Sequence, residues 1–190
     1  MRILEVRRHS YTKKDEARGH GSHLSSEGVT LARKIGSQIG PFARVVTSDI
    51  PRTLETALAM GFAVDEIIPA LGQLPEVFWA ELGRHDHWSW ARPFERYREF
   101  VAIGQQVAAL GQIQANIWLN TLEMAPPNGA VLVISHGHAI EAGLVSCFPE
   151  GQLDKLDRPF SHCEGFRASY NGDGQWMKLE IQRNGESEQS

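Results

Sequence analysis

Two apolar runs, each closed by a histidine, constrain this chain more than any other feature. The first, Ile3-Leu4-Glu5-Val6, leads into Arg8-His9; the second, Ala130-Val131-Leu132-Val133-Ile134, leads into Ser135-His136-Gly137. Short apolar runs bounded by polar or glycine-containing segments read as buried strands. Laid side by side and parallel, the two would bring both imidazoles to one edge of a sheet.

The remaining pattern alternates strand and helix. After a first strand over residues 3–8, a polar loop through Gly19 and Gly21 ends at Ser25, an expected N-cap. The helix from Ser26 to about Ile39 has Leu31, Ile35 and Ile39 at helical spacing and stops at Gly40-Pro41. A second strand over 44–48 precedes a helix carrying Arg52 to Met60, with Pro51 in its first turn. Residues 63–68 form a candidate third strand, and 72–93 an aromatic, His-rich loop or helical insertion. A long helical stretch is expected over 93–124, broken near Gly104 or Gly111. The buried strand at 130–135 and a helix at 138–148 follow. Residues 163–170 and 175–182 flank Asn171-Gly172-Asp173-Gly174 as a hairpin, and the polar end from Asn184 to Ser190 is expected to fray. The fold class expected is α/β: a three-layer α/β/α sandwich whose central sheet is mostly parallel and ends in an antiparallel hairpin.

Charge narrows the partners. The chain has 190 residues, a formal charge of -4, and no block of like charge of the kind that binds nucleic acid or a membrane surface. It has no signal-peptide pattern and no apolar stretch near the ~20 residues of a membrane span, which reads as a soluble, cytoplasmic protein. Cys147 and Cys163 are too few and too far apart for a redox motif or a disulfide framework, and read as ordinary buried thiols.

Chemistry concentrates at three junctions that follow strands, the usual ligand-binding edge of an open α/β sheet. These are Arg8-His9-Ser10, Ser48 through Ala57 with Arg52, and Ser135-His136-Gly137. Arginine offers a permanently charged fork of donors matched to phosphate oxygens. Neutral imidazole can attack phosphorus, whereas imidazolium donates hydrogen bonds; two nearby guanidinium groups favour the neutral form.

With these residues in order, the chain resembles the histidine phosphatase superfamily, the phosphoglycerate-mutase-like fold. The resemblance rests on Arg8-His9, on Leu24-Ser25-Ser26-Glu27-Gly28 beside the family's Leu-Thr-x-x-Gly helix start, and on Ser48 through Ala57 beside its Ser-x-x-x-Arg-x-x-x-Thr-Ala segment. Ser135-His136-Gly137 and the closing hairpin complete it. It implies one domain over residues 1–183, with an insertion at about 72–129 and a polar tail at 184–190. It makes His9 the nucleophile and assigns Arg8, Arg52 and His136 to the equatorial phosphoryl oxygens. It requires no metal or other cofactor, and backbone donors at Gly137 and His138 would add to the anion site. The leaving group needs a proton from a carboxylic acid. Glu76, in Leu74-Pro75-Glu76, is the first candidate and Glu81 the second. Where the family commonly has Gly, this chain has Ser10, either a further phosphate donor or, the preferred reading, a side chain the loop tolerates.

Other residues have ordinary readings that compete with sharper ones. The His-x-His of Arg84-His85-Asp86-His87 reads as a solvated loop rather than a metal site. Lys13, Lys14, Arg18, His20 and His23 form either an exposed loop, slightly preferred, or a subsite for a second substrate anion. Phe78, Trp79, Trp88 and Trp90 read as satellite core before pocket wall or oligomer face. Glu141 reads as structural rather than as a proton donor, and the place of His162 beside the closing strand assigns it no catalytic role. The function implied is hydrolysis of a small phosphorylated molecule through a phosphohistidine at His9. Alternatives are phosphoglycerate-mutase-type transfer, dephosphorylation of phosphohistidine in proteins, and a non-catalytic module that binds phosphorylated ligands. Oligomeric state is left open.

Overall fold

A computed structural model describes residues 1–14, 21–82, 90–149, 153 and 156–184. Its elements are β1 (Arg2–Arg8), α1 (Ser26–Gly36), β2 (Arg44–Thr47), α2 (Pro51–Ala59), β3 (Glu66–Ile67), a 3-10 turn (Pro69–Leu71), α3 (Glu76–Leu82), α4 (Pro93–Ile103), α5 (Gln105–Glu123), β4 (Ala130–Ser135), α6 (Ala139–Cys147), β5 (Gly165–Tyr170) and β6 (Trp176–Gln182). The strands form one sheet in the order β3-β2-β4-β1-β5-β6. Strands β1 to β4 pair in parallel, while β5 and β6 run antiparallel to their neighbours.

Period-two alternation divides the core. Val131 and Val133 of β4, with Leu4, Val6 and Phe166, face the layer of α3 to α6, including Phe78, Phe94, Tyr97 and Trp118. Leu132 and Ile134, with Val45, face α1 and α2 through Ala32, Ile35, Ala57 and Met60. Strand β4 is buried on both faces, which is why it reads as a continuous apolar run. The molecule is thus a three-layer α/β/α sandwich. Glu5, the one acid in β1, is also buried; its carboxylate accepts from Arg7 Nε at 2.7 Å and Arg167 Nη1 at 3.4 Å. Pairing offsets the cost of removing that charge from water.

Several boundaries differ from the sequence expectations. Helix α1 stops at Gly36, before Gly40-Pro41, where it packs so closely on the end of α2 that a Cβ on Gly36 would lie 2.1 Å from the Met60 carbonyl oxygen. Strand β3 has only two residues, pairing with β2 at the edge of the sheet before Pro69 turns the chain. The long helical stretch divides at Gly104, whereas Gly111 lies inside α5 and packs against α6, where a Cβ would meet Ser146 Oγ at 2.2 Å. The insertion supplies α3 as well as α4 and α5. Asn184, expected to fray, is tied down: its backbone N–H donates to Glu164 Oε1 at 3.1 Å and its Nδ2 to the His162 carbonyl at 2.7 Å. Residues 185–190 lie outside the described residues.

The hairpin turn matches its chemistry. Asn171 Oδ1 accepts from the backbone of Asp173 and Gln175, with Gly172 and Gly174 at positive φ. Among the described residues no helix is long and apolar enough to cross a membrane.

Candidate active site

Parallel pairing of β1 with β4 places Arg8 opposite Ser135, so the residues that follow leave the sheet at the same edge. The His9 N–H donates to the Ser135 carbonyl at 3.0 Å, and the His9 and His136 rings lie 5.3 Å apart. Nδ1 of His9 is 2.8 Å from the Ser10 carbonyl oxygen. A carbonyl can only accept, so Nδ1 carries the proton and Nε2 keeps the lone pair. Burial, then the proximity of His136, Arg8 and Arg52, holds the pKa of His9 well below the ordinary histidine value, outweighing the opposing bond to Ser10. The ring is neutral near pH 7, with the lone pair of Nε2 fixed in direction.

His136 is fixed by the opposite tautomer. Arg52 Nη2 donates to its Nδ1 at 3.1 Å, leaving Nε2–H to donate to Ser48 Oγ at 2.9 Å. The polarity continues through Ser48 Oγ to Thr53 Oγ1 at 2.8 Å and from Thr53 to the Ile50 carbonyl at 2.8 Å. This chain ties the end of β2 and the first turn of α2 to the end of β4. Arg52 is steadied by its other nitrogen, Nη1, on Ser22 Oγ at 2.8 Å. Burial and then Arg8 pull the Arg52 guanidinium down to about 10, which still leaves it charged near neutral pH.

Arg8 Nη1 donates to the Phe160 carbonyl at 2.8 Å, and its guanidinium lies against Gly137, where a Cβ would sit 3.4 Å away. Burial lowers the pKa of Arg8, opposed by Glu141, Tyr97 and Glu164. Glu141 is fully buried behind it; Oε1 accepts the Phe160 N–H at 3.0 Å, and burial raises the pKa of the carboxyl against Arg8. Glu141 thereby braces the loop on which Arg8 rests, a structural role.

Ser10 is wholly buried. Its N–H donates to Thr56 Oγ1 at 2.9 Å and its hydroxyl to the Gly28 carbonyl at 2.7 Å. The hydroxyl proton is thus committed to joining the first loop to α1, which fits the tolerated-side-chain reading rather than a phosphate donor. The His138 side chain turns into the aromatic layer instead of toward the phosphate edge. Its ring has Phe78, Trp79 and Tyr97 around it, at 5.8, 5.0 and 6.2 Å, and Nδ1 is bonded to the Tyr97 hydroxyl. At φ 65 and ψ -51 it sits in a strained γ-turn closed by Ala139 N–H on the Gly137 carbonyl at 2.8 Å. Ala139 and Ile140 N–H are taken by Gly137 and His136 carbonyls, so backbone donation to an anion would fall to Gly137 and His138.

The two carboxylate candidates separate. Glu76 opens α3 on the surface, four residues after Gly72, whose α-carbon abuts His136 so closely that a Cβ would lie 3.1 Å from Nε2. Glu81 accepts the N–H groups of Gln106 at 2.9 Å and Val107 at 3.3 Å. It caps α5, whose own N-cap, Gly104, has no side chain to do so. Its carboxylate is therefore structural. In the first loop, Lys13 and Lys14 are exposed and His23 Nδ1 lies 2.5 Å from Glu55 on α2. Arg18, His20, Arg84, His85, Asp86, His87 and Trp88 lie outside the described residues. Phe78 is core; Trp79 and Trp90 are half-buried against it. Burial holds Cys147 up at about 12 and Cys163 at about 11, so both are unreactive thiols. Among the described residues no group of three or more His, Cys, Asp or Glu could hold a metal ion.

His162, to which its place beside the closing strand assigned no catalytic role, has its ring 5.6 Å from His9 and 4.4 Å from Tyr11. The available signal was the hairpin itself, because an antiparallel β5 beside β1 brings residues just before β5 to the end of β1.

No curated protein matches the chain. Among solved structures it is similar to a phosphoserine phosphatase from Entamoeba histolytica crystallised with 3-phosphoglyceric acid (TM-score 0.70, 17% identity, 97% of this chain and 98% of that one). It is also similar to phosphoglycerate mutase from Bacillus anthracis str. Sterne (0.68, 20%, 94% and 91%) and to a mycobacterial glucosyl-3-phosphoglycerate phosphatase (0.66, 16%, 96% and 98%). At such identities these likenesses establish the shared fold alone. The family model described as histidine phosphatase superfamily (branch 1) matches residues 6–181, nearly the whole chain. The protein belongs to the histidine phosphatase superfamily.

Proposed function

We propose that the protein hydrolyses phosphomonoesters of small molecules, with His9 as the group that carries the phosphoryl. The observation that carries this reading is the His9 ring, held neutral and with Nδ1 bonded to the Ser10 carbonyl at 2.8 Å, which leaves Nε2 free to attack. Membership of the superfamily supplies phosphoryl-transfer chemistry at the level of phosphatases and phosphotransferases.

In the first step the Nε2 lone pair forms a bond to phosphorus as the ester P–O bond breaks, and the departing oxygen takes the carboxyl proton of Glu76. Arg8, Arg52 and His136 hold the three equatorial oxygens as charge redistributes, which is stabilisation by donors already in place. In the second step a water oxygen attacks phosphorus, its proton goes to the Glu76 carboxylate, and the N–P bond breaks to return neutral His9 and inorganic phosphate. Glu76 would thus act first as acid and then as base. Support for Glu76 over Glu81 comes from the capping duty of Glu81 on α5.

The aromatic insertion favours a small substrate over a protein surface. Helices α3 to α5 pack over one face of the sheet, and Phe78, Trp79 and Tyr97 close around His138 beside the site. A panel of sugar phosphates, phosphoglycerates, nucleotides and phosphopeptides, assayed for released phosphate with His9→Ala as control, tests the reading. Turnover of small phosphomonoesters that disappears in the variant supports it, and no turnover across the panel overturns it.

A further inference from the structure

Three neighbouring strands, in the order β4-β1-β5, each carry a histidine where the chain meets the same edge of the sheet. His136 follows β4, His9 follows β1, and His162 precedes β5, which runs the opposite way. The nucleophile therefore has an imidazole on each side, with ring centroids 5.3 Å away on the β4 side and 5.6 Å away on the β5 side. We propose that His162 is a catalytic residue of the phosphoryl pocket, donating a hydrogen bond to a non-bridging oxygen of the group transferred to His9. This rests on the phosphoryl-transfer reading above.

The backbone that carries His162 is fixed beyond what packing of one ring requires. Arg8 N–H donates to the Glu164 carbonyl at 2.8 Å and Cys163 N–H to the Arg8 carbonyl at 3.0 Å, extending the β1–β5 pairing past its last registered pair. Glu164 accepts from Arg158 at 2.7 Å, Arg183 at 2.9 Å and Ser161 N–H at 2.9 Å, and the His162 carbonyl accepts from Asn184 at 2.7 Å. Held between these anchors, Cys163 takes φ 59, a conformation that costs a residue with a side chain about 1 kcal/mol or more. The result is a rigid bend that sets the imidazole beside His9, with the Tyr11 ring 4.4 Å from it.

The protonation of the ring suits a donor. Burial and then Arg8 push His162 down to about 4, against the pull of Glu164. Near neutral pH it is uncharged and has one N–H to give. It adds a donor without adding a third positive charge beside Arg8 and Arg52, which would lower their own protonation and further disfavour charge on His9.

Three variants separate donation from packing: His162→Ala, His162→Phe, which keeps an aromatic ring without a donor, and His162→Asn, which keeps an N–H donor without the ring. The readouts are kcat on p-nitrophenyl phosphate and equilibrium binding of orthovanadate, with thermal melts to confirm folding. We expect kcat to fall on the order of 100-fold in the Ala and Phe variants, vanadate affinity to weaken in parallel, and Asn to recover part of both. If Ala does not fold, Phe and Asn decide. Wild-type kcat and vanadate affinity in His162→Phe would overturn the proposal while leaving the phosphatase reading intact. If the wild type binds vanadate but turns over no phosphomonoester, the phosphatase reading fails and vanadate binding alone decides for His162. A wild type that neither binds vanadate nor turns over a phosphomonoester overturns both, and one that turns over p-nitrophenyl phosphate without binding vanadate leaves kcat of the three variants to decide for His162.

Discussion

Arg52 Nη2 lies 3.1 Å from Nδ1 of His136, and because a guanidinium only donates, the imidazole accepts there. A phosphoryl oxygen that takes over this Arg52 nitrogen leaves Nδ1 facing an anion, to which it can donate only after gaining a proton. Nε2–H stays on Ser48 throughout. Binding of dianionic phosphate should therefore take up about one proton from solution. Calorimetry of phosphate binding in buffers of different ionisation enthalpy reads this directly, as a heat that varies with the buffer. A buffer-independent heat would contradict it.

The two acids of α3 should separate cleanly. Glu76→Gln removes the proton for the leaving group, so it should slow alkyl phosphates by roughly 100-fold or more while activated aryl phosphates, whose leaving groups need little help, lose far less. Glu81→Gln should leave both rates nearly unchanged and lower stability by about 1 kcal/mol through the weakened cap on α5. The comparison needs only steady-state rates on two substrates and a denaturant melt. A matched loss on both substrates in Glu76→Gln would remove Glu76 from the proton-donor role.

Ser10→Ala tests the residue at which the chain departs from the family pattern. With its hydroxyl proton given to Gly28, the side chain should contribute about 1 kcal/mol of stability and little to the rate. Denaturant unfolding should show the loss while kcat on an aryl phosphate stays within a few-fold of wild type. The opposite result, unchanged stability with a large fall in kcat, would place the hydroxyl on the phosphate instead.

What could be read from the chain followed from how local the cause was. Strands β1 and β4 were legible because each is a short apolar run followed by a histidine, whereas the parallel register that sets Arg8 opposite Ser135 joins distant parts of the chain and belongs to the folded sheet. The cap at Ser25 and the turn at Asn171 are local hydrogen bonds. Gly104 and Gly111 look alike in sequence, yet one ends a helix and the other lies inside one. The difference lies in Glu81, which fills the space a Gly104 Cβ would need, and in α6, which packs on Gly111. The brace that Glu141 gives the Arg8 loop passes through the Phe160 N–H, and His162 reaches His9 only once β5 is placed beside β1, so neither contact is local in sequence.

Acid stability should depend on Glu164. Burial alone would raise its pKa, but hydrogen bonds from Arg158, the Ser161 backbone and Arg183 outweigh burial and bring it from 4.5 to about 2. A carboxyl depressed in the folded state contributes stability above its unfolded value and loses that contribution as pH falls from about 4.5 through about 2. The difference corresponds to about 3 kcal/mol. Glu164→Gln should therefore be less stable near neutral pH and should lose much less stability than wild type across that acid window. Parallel pH profiles for the two proteins would contradict the network.

Phosphoryl transfer should pass through Nε2 of His9. Rapid quenching during turnover of a radiolabelled phosphomonoester should trap the label on the peptide that contains His9, as a bond stable in alkali and labile in acid, as a phosphoramidate is. His9→Ala should show neither label nor turnover. Label recovered on any other residue, or turnover that survives in His9→Ala, would exclude a phosphohistidine at His9.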